Sequence, residues 1–255
     1  MGDIARRLDG QRLALFLDFD GTLTPIVDHP ERAVLSNGMR ETLEVLSERC
    51  LVAVVSGRRR EDVMQRVGVS RLCYAGSHGF DIAGPHGCEP RHVRGHHVIP
   101  VVAQAERELV ERLGSIPGVL IEEKTTALAV HYRRVADADV AVVEAAVDAV
   151  IARHPDLRKT GGKRIFELRP REDWDKGKAV LWLLDALDLG GDDVTPIYLG
   201  DDVTDEDAFA ALKGRGIGIH VSDRPQPTSA DYGLRDPDEV HAFLEALNGV
   251  LDGGG

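Results

Sequence analysis

The stretch FLDFDGTLT, residues 16–24, decides the fold of this chain. It continues the apolar run of residues 13–17, which is typical of a strand buried on both faces of a parallel sheet. Asp18 and Asp20 follow this strand directly, and Gly21 permits a tight loop. Ligands of open α/β sheets bind at the carboxyl ends of the strands, so we predict a ligand site here.

The same alternation of helix and strand continues along the chain. Residues 36–46 have the apolar spacing of a helix, and residues 51–55 form a second apolar run. Residues 60–67 predict another helix, and residues 72–75 predict a third short strand. This βαβαβ order predicts an α/β fold with a Rossmann-type core and a parallel sheet.

The pattern changes after the third strand and later returns. Residues 83–170 predict the order αββαββ, which is a small antiparallel sheet with two helices on one face. Beyond them, residues 197–199 form another buried strand that ends at an Asp. We therefore predict a catalytic core of residues 1–82 and 171–255, with residues 83–170 as an inserted cap domain.

Composition and charge exclude several classes of function. The 255 residues carry a formal net charge of −12, which argues against unaided binding to nucleic acid or to anionic membranes. No apolar stretch approaches the ~20 residues that span a bilayer, and the first residues lack a signal peptide. Three cysteines without regular spacing predict no disulfide framework. We expect a cytoplasmic protein.

Polar side chains follow the predicted buried strands, at the point where each strand ends. Carboxyl ends of parallel strands meet at one edge of a sheet, so these side chains are expected to converge. Packed carboxylates stay ionised only beside a cation, and hard oxygen ligands favour Mg²⁺. The converging residues are Asp18, Asp20, Ser56, Asp201, Asp202 and Asp205.

These residue types match the chemistry of phosphate transfer. A carboxylate beside Mg²⁺ can attack phosphorus and form an acyl phosphate, while a second carboxylic acid protonates the leaving alcohol and then activates water. The Ser56 hydroxyl and the Gly57 N–H can hold a phosphoryl oxygen. An ammonium offsets the repulsion between two anions, and the stretch DKGKA at 175–179 offers either Lys176 or Lys178.

Each motif also has a structural alternative. Asp20-Gly21 suits the corner of a polar turn, and Ser56 suits the cap of the following helix. The acidic residues at 205–207 suit a helix start, where negative charge is favourable. The functional interpretation is favoured because DFDGT directly follows the first predicted buried strand and Ser56 directly follows the second.

The four segments, DFDGT, VVSGR, DKGKA and LGDDVTDED, resemble in order the four motifs of the haloacid-dehalogenase superfamily. The resemblance implies that Asp18 is the nucleophile and Asp20 the acid/base. It implies that Asp18, the Asp20 backbone carbonyl and Asp201 bind Mg²⁺, and its Lys-Gly pattern selects Lys176. Asp205 would orient metal-bound water from outside the direct ligands, and Asp202 could act in either position.

Three further segments resemble the trehalose-6-phosphate phosphatase family: YAGSHGF at 74–80, IEEKTTALAVHYR at 121–133 and FELRP at 166–170. The resemblance covers residues 12–247 and implies hydrolysis of trehalose 6-phosphate in trehalose biosynthesis. It implies that sugar hydroxyls bind to cap residues and that the phosphate or the sugar contacts Arg133. The substrate-binding residues that it implies are Gly57, His78, Glu122, Lys124, Arg133 and Glu167.

Two alternative functions stay open on the sequence. One is another capped sugar phosphatase, acting on sucrose phosphate or glucosylglycerol phosphate. The other is a phospho-acceptor module without turnover, although Asp20 beside Asp18 offers a route to hydrolysis.

Some members of the family carry a fused synthase-like domain. We therefore expect this protein to use free sugar phosphate or a separate trehalose-6-phosphate synthase as partner, and we expect a monomer.

Overall fold

The computed structural model describes residues 2–85, 91–93, 96–124, 126–162 and 164–252. The chain divides into two compact units, one formed by Met1–His92 with Trp174–Gly255 and the other by Val93–Asp173. The sequence-based limits of the insertion, residues 83 and 170, stay a prediction. Cys50 and Cys73 are free thiols, and Cys88 lies outside the described residues.

The helices and strands alternate along most of the chain. The strands are β1 (Arg12–Leu17), β2 (Leu51–Val55), β3 (Cys73–Gly76), β4 (Asp81–Ala83), β5 (Arg91–Val93), β6 (Leu120–Lys124), β7 (Ala127–His131), β8 (Leu157–Gly162), β9 (Ile165–Pro170), β10 (Val194–Gly200), β11 (Ile217–Val221) and β12 (Tyr232–Leu234). The α-helices are α1 (Gly2–Leu8), α2 (Asn37–Ser47), α3 (Arg60–Val67), α4 (Ile99–Leu113), α5 (Asp137–Ile151), α6 (Lys176–Ala186), α7 (Glu206–Leu212) and α8 (Pro237–Asp252).

The larger sheet has the strand order β12-β11-β10-β1-β2-β3-β4-β5. Its strands from β12 to β3 are parallel, and β4 runs antiparallel to β3. β1 lies between β10 and β2, with Leu17 opposite Leu199 on one side and Val54 on the other. The carboxyl ends of these three strands are therefore level, which aligns the polar residues that follow them.

Apolar side chains fill both faces of this sheet. One core joins the sheet to α1, α2, α3 and α8, and the other joins it to α6 and α7. α2 begins where the sequence predicts, because the Ser36 hydroxyl accepts a hydrogen bond from the Met39 N–H at 3.2 Å. The α/β fold class predicted from the sequence is confirmed.

The second unit has the predicted αββαββ order. Its antiparallel sheet has the strand order β6-β7-β9-β8, and one face packs on α4 and α5 through Leu128, Val130 and Leu168. The opposite face carries Glu122 and Glu167, since both pair across the strands with Ala129. One face of this sheet is thus a core and the other is polar.

Four short elements were not predicted from the sequence: α1, β4, β5 and β12. The three strands have three residues each, too few to show a period of two. Among the described helices, none combines the length and the apolar character that crossing a membrane requires.

Candidate active site

Two neighbouring strands place the central carboxylates side by side. Asp18 follows β1 and Asp201 follows β10, and the Asp18 N–H donates to the Leu199 carbonyl at 2.9 Å. The carboxylates of Asp18, Asp201 and Asp205 are all buried, and each offers an oxygen within 4.8 Å of the others. Such a set of hard oxygen donors fits a small divalent cation.

Gly21 is the residue that permits this approach. Its φ of +87° lies in the left-handed region, where a side chain is strained. A Cβ placed on it would lie 2.3 Å from Asp201 Oδ2, so any other residue would collide with that carboxylate. The glycine of the DFDGT motif thus permits the loop after β1 to lie against Asp201, the residue that follows β10.

Lys176, in the third motif, contacts the first and the fourth motifs. Its Nζ donates hydrogen bonds to Asp18 Oδ1 and Asp205 Oδ1, each at 2.7 Å. Burial alone would lower the pKa of this ammonium, but Asp18 and Asp205 raise it above its ordinary value, so Lys176 stays charged. Lys178 instead pairs with Asp175 at 3.1 Å, where its side chain is 38% exposed.

Asp205 is a buried hub of hydrogen bonds. Its carboxylate accepts four: from Lys176 Nζ, from the Tyr198 hydroxyl at 2.6 Å, and from the N–H groups of Asp201 and Asp202 at 3.1 and 2.9 Å. Burial and the nearby Asp205 raise the pKa of Tyr198 well above its usual value, so its proton stays on the oxygen. Asp205 therefore fixes both Lys176 and the loop that carries Asp201.

Tyr198 is a site residue that the sequence analysis missed. It lies inside the apolar run of β10, where it is fully buried. A buried tyrosine hydroxyl requires a hydrogen-bond partner, so a tyrosine two residues before the Gly200-Asp201 motif was a usable signal.

The burial of Asp18 sets its protonation. Burial raises the pKa of Asp18 well above its ordinary value, the Lys176 ammonium opposes that effect, and the carboxylates of Asp205 and Asp201 add to it. A bound cation favours the ionised form of such a group, because its charge outweighs that of neighbouring carboxylates.

The Asp20 carboxylate pairs with an arginine. Arg58 Nε donates to Asp20 Oδ2 at 2.6 Å, and Arg58 Nη2 donates to Asp20 Oδ1 at 2.7 Å. The Asp20 side chain is 39% exposed, while that of Arg58 is 7% exposed. Arg58 belongs to the VVSGR motif, but the sequence analysis gave it no role.

Ser56, Gly57 and His78 lie together at the ends of β2 and β3. The Ser56 carbonyl accepts from the His78 N–H at 2.8 Å, and the Ser56 hydroxyl accepts from the Arg58 N–H at 3.1 Å. A Cβ on Gly57 would lie 2.7 Å from the imidazole of His78. His78 has φ of +57°, an unusual conformation for a residue with a side chain, and such strain is found preferentially at functional sites.

Asp202 takes a local structural position. It caps the short 3₁₀ turn Val203–Asp205, and its carboxylate accepts from the Val203 N–H at 2.7 Å. Among the described residues, Asp202 is therefore not part of the group of three buried carboxylates formed by Asp18, Asp201 and Asp205.

In the second unit, two predicted residues, Lys124 and Glu167, form a buried ion-pair cluster with Arg169. Lys124 Nζ donates to Glu167 Oε1 at 2.7 Å, and Arg169 Nε donates to Glu167 Oε2 at 2.8 Å. All three side chains are buried on the polar face of the small sheet. Arg169 lies in the FELRP segment, but its part in this cluster was not predicted from the sequence.

The two other predicted cap residues lie at the margin of this face. Glu122 Oε2 lies 2.9 Å from His131 Nε2, and both side chains are partly exposed. Arg133 is exposed in the turn that follows β7. The structure thus pairs Lys124 with Glu167 and places Glu122 beside His131.

Comparison with known proteins gives a consistent result. Residues 16–238 match the family model described as trehalose-phosphatase. A trehalose 6-phosphate phosphatase of Zea mays is 44% identical over 253 residues, which cover 93% of this chain and 70% of that protein. A trehalose-phosphate phosphatase of Mycobacterium tuberculosis is 45% identical over 248 residues, which cover 96% of this chain and 63% of that protein.

Solved structures show the same fold. The C-terminal domain of a Candida albicans trehalose-6-phosphate phosphatase superimposes with a TM-score of 0.81 at 24% identity, covering 96% of this chain and 97% of that one. A haloacid dehalogenase-like hydrolase from Bacteroides thetaiotaomicron gives a TM-score of 0.66 at 18% identity, covering 93% and 99%.

Proposed function

This chain belongs to the trehalose-phosphatase family of the haloacid-dehalogenase superfamily, and from that membership we propose that its buried acidic site carries out the phosphate transfer. The chain is a phosphoric monoester hydrolase that converts trehalose 6-phosphate to trehalose and phosphate in trehalose biosynthesis. One observation carries the assignment of the site: Lys176 bridges Asp18 and Asp205 at 2.7 Å each, beside Asp201.

In the first step of the proposed reaction, an oxygen of Asp18 forms a bond to phosphorus. The bond between phosphorus and the sugar oxygen breaks, its electron pair stays on the sugar oxygen, and Asp20 gives that oxygen a proton. Lys176 reduces the repulsion between the Asp18 carboxylate and the phosphate dianion.

In the second step, water hydrolyses the aspartyl phosphate. The Asp20 carboxylate takes a proton from water, the water oxygen bonds to phosphorus, and the bond from phosphorus to Asp18 breaks. Phosphate leaves, and both carboxyl groups return to their starting states. The Ser56 hydroxyl and the Gly57 N–H donate to phosphoryl oxygens and keep the group in line with the attack.

Mg²⁺ is the cofactor that this site fits. Asp18, Asp201 and the Asp20 carbonyl would hold it, with Asp205 and Asp202 supporting the loop. When bound, a divalent cation neutralises charge on the phosphoryl oxygens. The donor set supports this choice, because it contains carboxylate oxygens and no thiolate or imidazole among the described residues.

We propose that the polar face of the small sheet recognises the sugar. Glu167 and Glu122 would accept hydrogen bonds from hydroxyl groups, while Lys124 and Arg133 would donate to them or to the phosphate. His78 would complete the substrate site beside Gly57. A cytoplasmic location, a monomeric state and a separate synthase as partner stay predictions.

Phosphate release from trehalose 6-phosphate, with and without Mg²⁺, tests the proposal. We expect release only with Mg²⁺ and a higher kcat/KM than for sucrose phosphate or glucosylglycerol phosphate. The control is Asp18→Asn, which should retain the fold but form no aspartyl phosphate. Equal kcat/KM values across the panel would contradict the substrate, and turnover by Asp18→Asn would contradict the nucleophile.

A further inference from the structure

We infer that Arg58 is a positioning residue that fixes the Asp20 carboxylate for proton transfer. This inference rests on the proposed function, in which Asp20 protonates the sugar oxygen and later accepts a proton from water. Arg58 holds both oxygens of that carboxylate, at 2.6 and 2.7 Å. Such two-point pairing fixes the plane of a carboxylate as well as its position.

Arg58 has few donors left for a substrate. Its guanidinium donates four hydrogen bonds, two to Asp20, one to Asp62 at 2.9 Å and one to the Pro30 carbonyl at 2.8 Å. A guanidinium has five N–H groups. The side chain is also 7% exposed, so its contacts assign it to Asp20 and not to the phosphate.

A second layer of contacts holds Arg58 in place. Asp62 lies on α3 and accepts from Arg66 at 2.8 Å through its other oxygen, Oδ1. Arg66 in turn donates to the Ala33 carbonyl at 2.9 Å. The guanidinium carbon of Arg58 lies 5.3 Å from the centroid of the Phe19 ring. Charges of alternating sign thus extend from Asp20 to α3 and keep Asp20 in one orientation.

The location of Asp20 explains why proton transfer requires a residue that fixes its side chain. Asp20 is 39% exposed and lies in a loop, so its side chain would otherwise sample several rotamers. Proton transfer requires hydrogen-bond distance to the sugar oxygen in step one and to water in step two. An arginine that is itself anchored holds the carboxylate in one place for both steps.

The inference predicts which reactions depend on Arg58. A sugar oxygen leaves only with a proton, whereas p-nitrophenolate leaves without one. We therefore expect Arg58→Lys to lower kcat/KM for trehalose 6-phosphate by about 10–100-fold and that for p-nitrophenyl phosphate by less than about 3-fold. Because the second step still requires Asp20, the aryl substrate should release a burst of p-nitrophenolate before a slower steady rate.

A double-mutant cycle separates positioning from direct action. In an Asp20→Asn background, Arg58→Lys should change kcat/KM for trehalose 6-phosphate by less than about 2-fold, since coupled residues are not additive. The matched control is Arg60→Lys, two residues further on, whose guanidinium pairs with Asp81 at 3.0 Å. This control should leave both substrates within about 2-fold of the wild type.

Asp62→Asn provides a second variant if Arg58→Lys does not fold. It removes the charge behind Arg58 and should give the same selective loss on the sugar phosphate, at a smaller size. Equal losses on both substrates, or the same loss in the Asp20→Asn background, would overturn the inference. If the wild type prefers another alkyl phosphate, that result contradicts only the proposed substrate. The double-mutant cycle of Arg58 and Asp20 is then measured on that compound, with the same expected outcome.

Discussion

Asp205 shows how one buried side chain can organise a site through hydrogen bonds to its neighbours. It occupies both its oxygens with donors from Lys176, Tyr198 and the loop at 201–202. Replacing it by Asn removes one of the two charges that hold Lys176. We expect Asp205→Asn to lower kcat about 10–100-fold, as for other groups that orient a metal site from outside its ligands.

Steady-state kinetics with a matched control checks this prediction. Asp207→Asn changes an exposed acidic residue two positions away and should leave kcat within about 2-fold of the wild type. Equal effects of the two variants would mean that Asp205 contributes only negative charge.

At this scale, the sequence predicted the residue types of the site better than their partners. Asp18, Asp201 and Asp205 come together as the strand ends predict, and Lys176, which the family resemblance selects, contacts two of them. The pairing of Asp20 with Arg58 was not predictable, because an Asp three residues after a strand can turn toward a metal or toward a neighbouring motif. The direction of the Asp20 side chain depends on side-chain packing, and the apolar periodicity of the sequence carries no information about that packing.

Among the structural elements, the loop after β1 gives the sharpest test. Gly21→Ala would place a Cβ 2.3 Å from Asp201 Oδ2 at a φ of +87°. Gly10 has φ of +70° with no atom within 4 Å of its Cβ, so Gly10→Ala isolates the backbone strain. We expect Gly10→Ala to cost about 1–2 kcal/mol of unfolding free energy and to leave Mg²⁺ activation unchanged.

Gly21→Ala should lose unfolding free energy in the same way. It should also bind Mg²⁺ more weakly, because its Cβ would collide with the Asp201 carboxylate. Urea unfolding measures the stability of both variants, and activity titrated against Mg²⁺ measures the apparent Kd. A Gly21→Ala protein with the wild-type Kd would show that Asp201 is not required at its present position.

The small sheet of the second unit depends on its buried ion pairs. Glu167 pairs with two buried cations, Lys124 and Arg169. Glu167→Gln removes the charge that both cations share, and we expect a loss of about 3–5 kcal/mol in unfolding free energy. Glu144→Gln, which breaks a pair with Lys159 whose glutamate is 49% exposed, should cost less than about 1 kcal/mol. Chemical denaturation compares the two, and similar losses would contradict the account.

The elements themselves were largely predictable. β1, β2 and β10 are long apolar runs, and α2 has both an apolar face and a capping Ser36. The tight cluster around Glu167 could not be derived in the same way. Alternation along β9 places Glu167 and Arg169 on one face, but their joint burial with Lys124 depends on strand register.

Across the whole molecule, the two units have separate hydrophobic cores. A ligand stabilises only the unit that binds it, so Mg²⁺ at about 100 times its Kd should raise the unfolding free energy of the first unit by about 2.7 kcal/mol. Scanning calorimetry should therefore show one transition that moves with Mg²⁺ and one that does not. Asp18→Asn should abolish the movement, and a shift of both transitions would contradict separate stabilisation.

The position of β1 between β2 and β10 has a consequence for protein synthesis. β2 follows β1 closely along the chain, whereas β10 ends at Gly200 and leaves the ribosome much later. Until then, one edge of β1 presents unpaired N–H and C=O groups, which makes the nascent chain a target for aggregation and for chaperones. A truncated translation product that lacks β10 would be catalytically inactive and prone to aggregation. Protein quality control can recognise it by the unpaired edge of β1.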